Sequence, residues 1–258
     1  MTINKTIITD LLKSIETGDP APVAHVNPQK YIQHNLAVGD GLAGLGAVLQ
    51  ALPAGSAKAN TVRVFEDGDY VFAHTEYNFF GPKIGFDIFR FEQGKVVEHW
   101  DNLQETPPTP NPSGHTMVDG ATELLDLEKT AANKALVNAF VSDVLAGGQF
   151  DLLPNYIDAD NYTQHNPAIA DGLAGLSKAV AAMANAGITM RYNTIHKVFG
   201  EGNFVLTVSE GEFAGKHVAF YDLFRVAANK IVEHWDVIEA IPPQAEWKNT
   251  NGKFGFCS

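Results

Sequence analysis

Residues 31–45 read YIQHNLAVGDGLAGL and residues 162–176 read YTQHNPAIADGLAGL, identical at eleven of fifteen positions. A second pair follows in the same order: DIFRFEQGKVVEHWD, from Asp87 to Asp101, returns as DLFRVAANKIVEHWD, from Asp222 to Asp236. The offset between copies grows from 131 to 135 residues, which reads as small loop insertions in a common unit. Solenoid repeats have periods of about 20–50 residues, so this is a duplicated domain. Even the ends agree, NPSGHTM (Asn111–Met117) resembling NTNGKF (Asn249–Phe254). The stretch rich in Pro, Gly and Thr that ends near residue 120 marks the boundary, giving units of residues 1–120 and 121–258.

Outward from the QHN motif the two units share one order of elements. NKTIITDLLKSIETGD and EKTAANKALVNAFVSDVLAGG space apolar residues at three and four and run into Gly18 and Gly147, the pattern of a helix with a glycine stop. The motif falls in a connection, and GLAGLGAVLQAL or GLAGLSKAVAAMANA follows as a short helix. Only strand patterns come after it, with turn signals at Asp67-Gly68 and Gln93-Gly94. Helices followed by hairpin-linked strands describe an α+β unit, with helices packed on one face of a curved antiparallel sheet.

Composition narrows the function. The 258 residues are 45% hydrophobic and 19% charged, enough apolar material for real cores. Thirty acidic against eighteen basic residues leave a net charge of −12, which repels polyanions, so neither nucleic acid nor an anionic membrane surface is an expected partner. The lone cysteine, Cys257, excludes an internal disulfide and a cysteine metal cage. No targeting or membrane-spanning run is present in the sequence, which sets a cytoplasmic expectation.

The hairpin around Gly94 decides which side chains share a face. A three-residue loop of Glu92, Gln93 and Gly94, with Gly94 or its counterpart Asn229 in the left-handed region, pairs Asp87 with His99 and sets Asp101 beside them. A two-residue turn would instead pair Asp87 with Trp100. On the three-residue reading the opposite face receives Phe86, Ile88, Arg90, Glu98 and Trp100, with Arg90 and Glu98 paired across strands. A carboxylate, an imidazole and a second carboxylate on the helix-covered face are costly to bury unless they line a cavity, where burial and mutual charge tune proton affinity. Asp87, His99 and Asp101, with Asp222, His234 and Asp236, are therefore the candidate catalytic residues; the alternative is an Asp–His pair that locks the sheet.

Candidate ligand contacts are Tyr31, His34 and Asn35, repeated as Tyr162, His165 and Asn166, which could reach over the mouth of the pocket or cap the next helix. His74 and Glu76 alternate on the preceding strand; Glu210 repeats the glutamate and Val208 replaces the histidine. Asp40-Gly41 and Asp171-Gly172 read as turn or N-cap chemistry, Trp100 and Trp235 as core. No phosphate-cradling loop, nucleophile elbow or metal-ligand spacing is present, so neither cofactor nor metal is expected.

Together, YxQHNxxxxDGLxGL, DxFRxxxxKxVEHWD and the closing NxxG tail resemble the SnoaL-like proteins, predicted aldol-condensation or polyketide-cyclase enzymes of the nuclear transport factor 2-like superfamily, once per half. The resemblance implies a cone: a curved antiparallel sheet wrapped by helices around a deep apolar pocket used for cofactor-free proton chemistry. It places Asp87 and Asp222 where ketosteroid isomerases carry an oxyanion-stabilising aspartate, and Asp101 and Asp236 where limonene epoxide hydrolases carry a catalytic one. Many polyketide cyclases have an acid or base aspartate four residues after the tryptophan; Gln104 and Glu239 stand there instead. The resemblance also implies that the fused units form an intramolecular pseudo-dimer, closed by the two tails.

Two functions fit these observations. One is a cofactor-independent enzyme that removes a proton α to the carbonyl of a small apolar compound, leading to isomerisation or aldol cyclisation. The other is a binding protein whose pockets hold a hydrophobic small molecule unchanged.

Overall fold

Type I′ turns, not three-residue loops, close the central hairpins. In the computed structural model, which describes residues 1–52 and 55–256 and so leaves Cys257 outside, Glu92 pairs with Lys95 and both turn residues are left-handed, Gln93 at φ 49° and Gly94 at φ 73°. The second copy repeats the turn with Ala228 at φ 48° and Asn229 at φ 61°. Such turns match the right-handed twist of the flanking strands. A two-residue turn alone would have put Asp87 opposite Trp100. A bulge at Val97 intervenes: pairing shifts between Arg90/Glu98 and Phe91/Val96, so Asp87 pairs with Asp101 and Phe89 with His99. The bulge restores the parity that the turn removes. Asp87, His99 and Asp101 share a face as expected, with pairings two residues from those anticipated.

The first unit comprises α1 (Ile3–Thr17), β1 (Ile32–Gln33), α2 (Gly41–Ala51), β2 (Lys58–Asp67), β3 (Tyr70–Asn78), β4 (Pro82–Glu92) and β5 (Lys95–Glu105), with sheet order β1-β5-β4-β3-β2. The second contains α3 (Thr130–Phe140), α4 (Leu153–Tyr156), β6 (Thr163–Gln164), α5 (Gly172–Asn185), β7 (Met190–Glu201), β8 (Phe204–Phe213), β9 (Lys216–Ala227) and β10 (Lys230–Ala240), ordered β6-β10-β9-β8-β7. The fold class is α+β. Four strands of each sheet are antiparallel, but Gln33 and Gln164, the first residues of the QHN motifs expected in a connection, end short edge strands parallel to β5 and β10, while the rest of each motif stays irregular.

Helix α1 forms as its sequence requires. The Thr2 hydroxyl accepts the Lys5 amide, Gly18 ends the helix at φ 70°, and Ile7, Ile8, Leu11 and Leu12 make one buried stripe. That stripe packs on Val71, Ala73 and Phe89 of the sheet. In the second unit Val137, Phe140, Val141 and Val144 pack in the same way with Val205, Phe220 and Phe224. Among the described residues no helix is long and apolar enough to cross a membrane.

The division between units differs from the expected break at residue 120. One unit is Met1–Thr106 together with Ile241–Ser258; the other is Pro107–Ala240. Hydrogen bonding explains the difference. The tail after β5 serves the second unit, where Asn111 Nδ2 donates to the carbonyls of Gln164 and Ile169 at 2.6 and 3.0 Å. The tail after β10 serves the first, where Asn249 Nδ2 donates to those of Asn35 and Val38 at 2.8 and 2.9 Å. Each tail satisfies backbone groups that the irregular QHN segment leaves open.

Candidate active site

Each sheet has a pocket on its helix-covered face. In the first unit a cavity of about 260 Å³ is walled by Leu11, Leu12, Leu45, Leu49, Phe79 and Phe89, and its polar lining is Ser14, Tyr31, Gln33, Asn35, Tyr77, Asp87, His99 and Asp101. The second unit repeats it at about 460 Å³, with Tyr162, Gln164, Asn166, Tyr192, Asp222, His234 and Asp236. Its extra room fits the smaller residues of α5: Ala179 and Val180 line it where Val48 and Leu49 line the first.

The hydrogen bonds fix the protonation pattern. Gln33 Oε1 accepts the Asn35 backbone N–H at 2.8 Å, so that end of the amide is the oxygen, and His99 Nδ1, 3.2 Å away, must be the donor. His99 Nε2 lies 3.1 Å from Asp87 Oδ1, a contact that needs one proton shared between them. Tyr77 donates to Asp87 Oδ2 at 2.8 Å. Burial pushes the Asp87 carboxyl above the usual carboxylate range and Asp101 adds to the push, while His99 and Tyr77 pull it down. The second unit has the same circuit: His234 Nδ1 to Gln164 Oε1 at 3.0 Å, His234 Nε2 to Asp222 Oδ1 at 3.1 Å, and Tyr192 to Asp222 at 3.3 Å.

The other aspartate is held by one oxygen only. Asn35 Nδ2 donates to Asp101 Oδ2 at 2.7 Å, and Asn166 Nδ2 to Asp236 Oδ2 at 2.6 Å. Among the described residues no hydrogen-bond donor reaches Asp101 Oδ1 or Asp236 Oδ1, both buried. The nearest cation to Asp101 Oδ1 is Lys253 Nζ of the tail, at 3.9 Å. Burial raises the Asp236 carboxyl above its ordinary value, outweighing the opposing pull of His234, and Asp222 raises it further. The phenol donors complete the lining. Gln164 Nε2 donates to Tyr162 Oη at 3.1 Å, so the tyrosine's own hydrogen is left for another acceptor. Burial, then the nearby aspartates, raise Tyr31 and Tyr162 far above an ordinary phenol.

Raised pKa values have a stability consequence. A carboxyl whose folded value is raised holds its proton more tightly folded than unfolded, so its contribution is full below the unfolded value of about 4 and is lost as pH rises through the folded one. Asp236→Asn should therefore stabilise the second unit by about 1–2 kcal/mol at pH 8, relieving a buried, half-satisfied charge. The gain should shrink to nothing by pH 3, as read by denaturant unfolding across that range; an equal gain at both ends would contradict it.

Several expected contacts lie elsewhere. His34 is buried on the opposite face, stacked on Trp100 at 4.6 Å, with Nδ1 2.7 Å from the Gly252 carbonyl and Nε2 2.9 Å from Glu98 Oε1. His165 matches it on Trp235, between Thr116 O and Glu233. Both hold the tails rather than the pocket. Side chains alternate along a strand, so His74 also points away, bonded to Arg63 at 3.2 Å. Glu76 is exposed, and Glu210 binds His196 and His217 at 2.8 and 2.7 Å. Asp40 and Asp171 cap no helix with their side chains; they accept the Gln33 and Gln164 amides. Trp100 and Trp235 are core. Gln104 and Glu239 fall on the alternation away from Leu103 and Ile238, which line the pockets, so a missing aspartate there deprives neither pocket of a group.

Asp87, His99 and Asp101, and likewise Asp222, His234 and Asp236, bring ligand atoms within 4.8 Å of one another, a set that could hold a metal ion only by giving up the Asp–His proton. His115, Asp119 and His165 form a third such set. There His165 Nδ1 already meets Thr116 O and Asp119 at 2.8 Å, and Nε2 meets Glu233 at 3.0 Å.

Fold and site together define an α+β pocket protein with paired buried carboxylates, built twice. The SnoaL-like domain family matches residues 137–234. No curated protein matches the chain. Among solved structures, IdmH from Streptomyces antibioticus is 17% identical over 40% of this chain and 93% of its own, with a TM-score of 0.36. A SnoaL-like polyketide cyclase from Agrobacterium tumefaciens is 15% identical over 42% and 91%, TM-score 0.34. An LEH-like epoxide hydrolase from M. tuberculosis is 20% identical over 43% and 85%, TM-score 0.33.

Proposed function

We propose that each unit is a cofactor-independent acid/base catalyst that removes a proton α to the carbonyl of a small apolar compound. The observation that carries this reading is a buried carboxylate oxygen that accepts no hydrogen bond among the described residues, Asp101 Oδ1 in one pocket, with Lys253 Nζ 3.9 Å away, and Asp236 Oδ1 in the other, each in a cavity walled largely by apolar side chains. Burial raises the Asp236 carboxyl, so its carboxylate is a stronger base than one in solution. It takes the C–H proton while the bonding electrons move onto the carbonyl oxygen. The resulting enolate oxygen meets donors: the Tyr31 or Tyr162 hydroxyl and the proton shared by Asp87 and His99, or Asp222 and His234. Return of the proton to another carbon gives isomerisation; attack on a second carbonyl gives aldol cyclisation. The apolar walls favour a hydrophobic substrate, a larger one in the second pocket.

The test is exchange of α-protons into deuterated buffer across a panel of cyclic and aromatic ketones, followed by proton NMR. Exchange well above the buffer rate for at least one ketone is expected. Saturable binding of these ketones with no exchange of any would replace this reading with that of a ligand-binding protein.

A further inference from the structure

The two pockets obtain the same tyrosine hydroxyl from different strands. In the first unit it is Tyr77 of β3, whose cross-strand partner on β2 is Ala59. In the second it is Tyr192 of β7, whose partner on β8 is Gly211. The two rungs are equivalent: β2 and β7 are the far-edge strands of their sheets, and β3 and β8 their neighbours. Tyrosine and small residue have thus changed places across one rung, yet both hydroxyls end on the matching aspartate, Tyr77 on Asp87 at 2.8 Å and Tyr192 on Asp222 at 3.3 Å.

A third position accommodates each arrangement. Tyr77 lies over Gly85, where an added Cβ would come within 2.5 Å of its ring. The matching residue of the second unit is Phe220, and Tyr192 stacks on it at 4.1 Å between ring centroids. At Gly211 an added Cβ would sit 1.9 Å from the Arg191 carbonyl, so no tyrosine fits there as the strands stand. The triplets Ala59, Tyr77, Gly85 and Tyr192, Gly211, Phe220 are two packing solutions that deliver one hydroxyl to the matching carboxylate, at Oδ2 of Asp87 and at both oxygens of Asp222. Packing alone does not require this convergence, because a phenylalanine fills either space.

We propose that this hydroxyl is a positioning group that holds the shared proton of the Asp–His pair on the imidazole. Its bond to the carboxylate favours the ionised aspartate, whose Oδ1 accepts from Nε2–H. The groups that face the pair in the first unit are Tyr77, Asp101, Tyr31 and Gln33, and among the described residues Tyr77 and His99 are the donors to Asp87.

The experiment reads the histidine rings directly, by long-range nitrogen–proton NMR of the full chain at pH 7, and needs no substrate. In the wild type, His99 and His234 should each show both ring nitrogens protonated. Tyr77→Phe should convert His99, and not His234, to the form protonated on Nδ1 alone; Tyr192→Phe should do the reverse. The triple variant Ala59→Tyr/Tyr77→Gly/Gly85→Phe, which copies the second solution into the first unit, should restore the two-proton pattern of His99. The proposal is overturned if His99 keeps both protons in Tyr77→Phe, or carries only one in the wild type. The two single variants decide the matter even if the triple variant does not fold, and a result either way leaves the ketone-exchange test independent.

Discussion

Replacing Asp101 and Asp236 together with asparagine is expected to lower α-proton exchange by about 10²–10⁴-fold, the usual contribution of a positioned general base. Asparagine keeps the volume and can keep the bond from Asn35 or Asn166, but its amide cannot take a proton. The single variants should separate the pockets. Asp101→Asn should spare exchange of substrates that fit only the larger cavity, and Asp236→Asn should abolish it. A double variant that exchanges as fast as the wild type would remove these carboxylates from the base role. The stabilisation expected of Asp236→Asn makes a misfolding explanation for lost activity directly testable in the same sample.

Deleting Ile241–Ser258 should unfold the first unit while leaving the second folded. The tail supplies Asn249 and Asn251 as donors to the QHN backbone and to Asp40, the Gly252 carbonyl to His34, the Phe254 carbonyl to Trp100, and the Phe256 ring stacked on Trp100 at 4.5 Å. Each buried donor or acceptor left open costs about 1–3 kcal/mol, and a domain has only about 5–15 kcal/mol in all. Hydrogen exchange is the measurement: β2–β5 amides should lose protection and β7–β10 amides keep it. The milder Asn249→Ala should cost about 2–3 kcal/mol and loosen Asn35, the residue that holds Asp101. Full protection of β2–β5 in the truncated chain would show that the tail does not complete this unit.

The two like sheets and the α+β class were legible because the QHN and EHWD segments are near copies. That Asp87, His99 and Asp101 share the pocket face was also legible, though by compensation: the turn was shorter than expected and the Val97 bulge, for which the sequence carries no signal, shifted the pairing back. The QHN motif held more than was drawn from it. Read with a strand period of two, Tyr31, Gln33 and Asn35 share one face and His34 takes the other, which is how the structure places them. That reading would have found Gln33 and Gln164 and released His34 and His165 from the pocket. The same alternation takes His74, Glu76 and Glu210 off the site. Tyr77 and Tyr192 were hidden for another reason: matching the two halves strand by strand sets Tyr77 against Gly211, so the shared hydroxyl leaves no trace in the repeat.

The crossed tails also bear on synthesis. When β5 has left the ribosome, Trp100 and His34 still lack the segment that caps them, because the chain must first lay down Pro107–Ala240. At about 5–20 residues per second that delay is on the order of 7–27 s. Over that interval the upstream domain waits with an aromatic wound open, whereas the downstream one emerges with its strap already made, so a chaperone that binds nascent apolar surface should find its hold on the former.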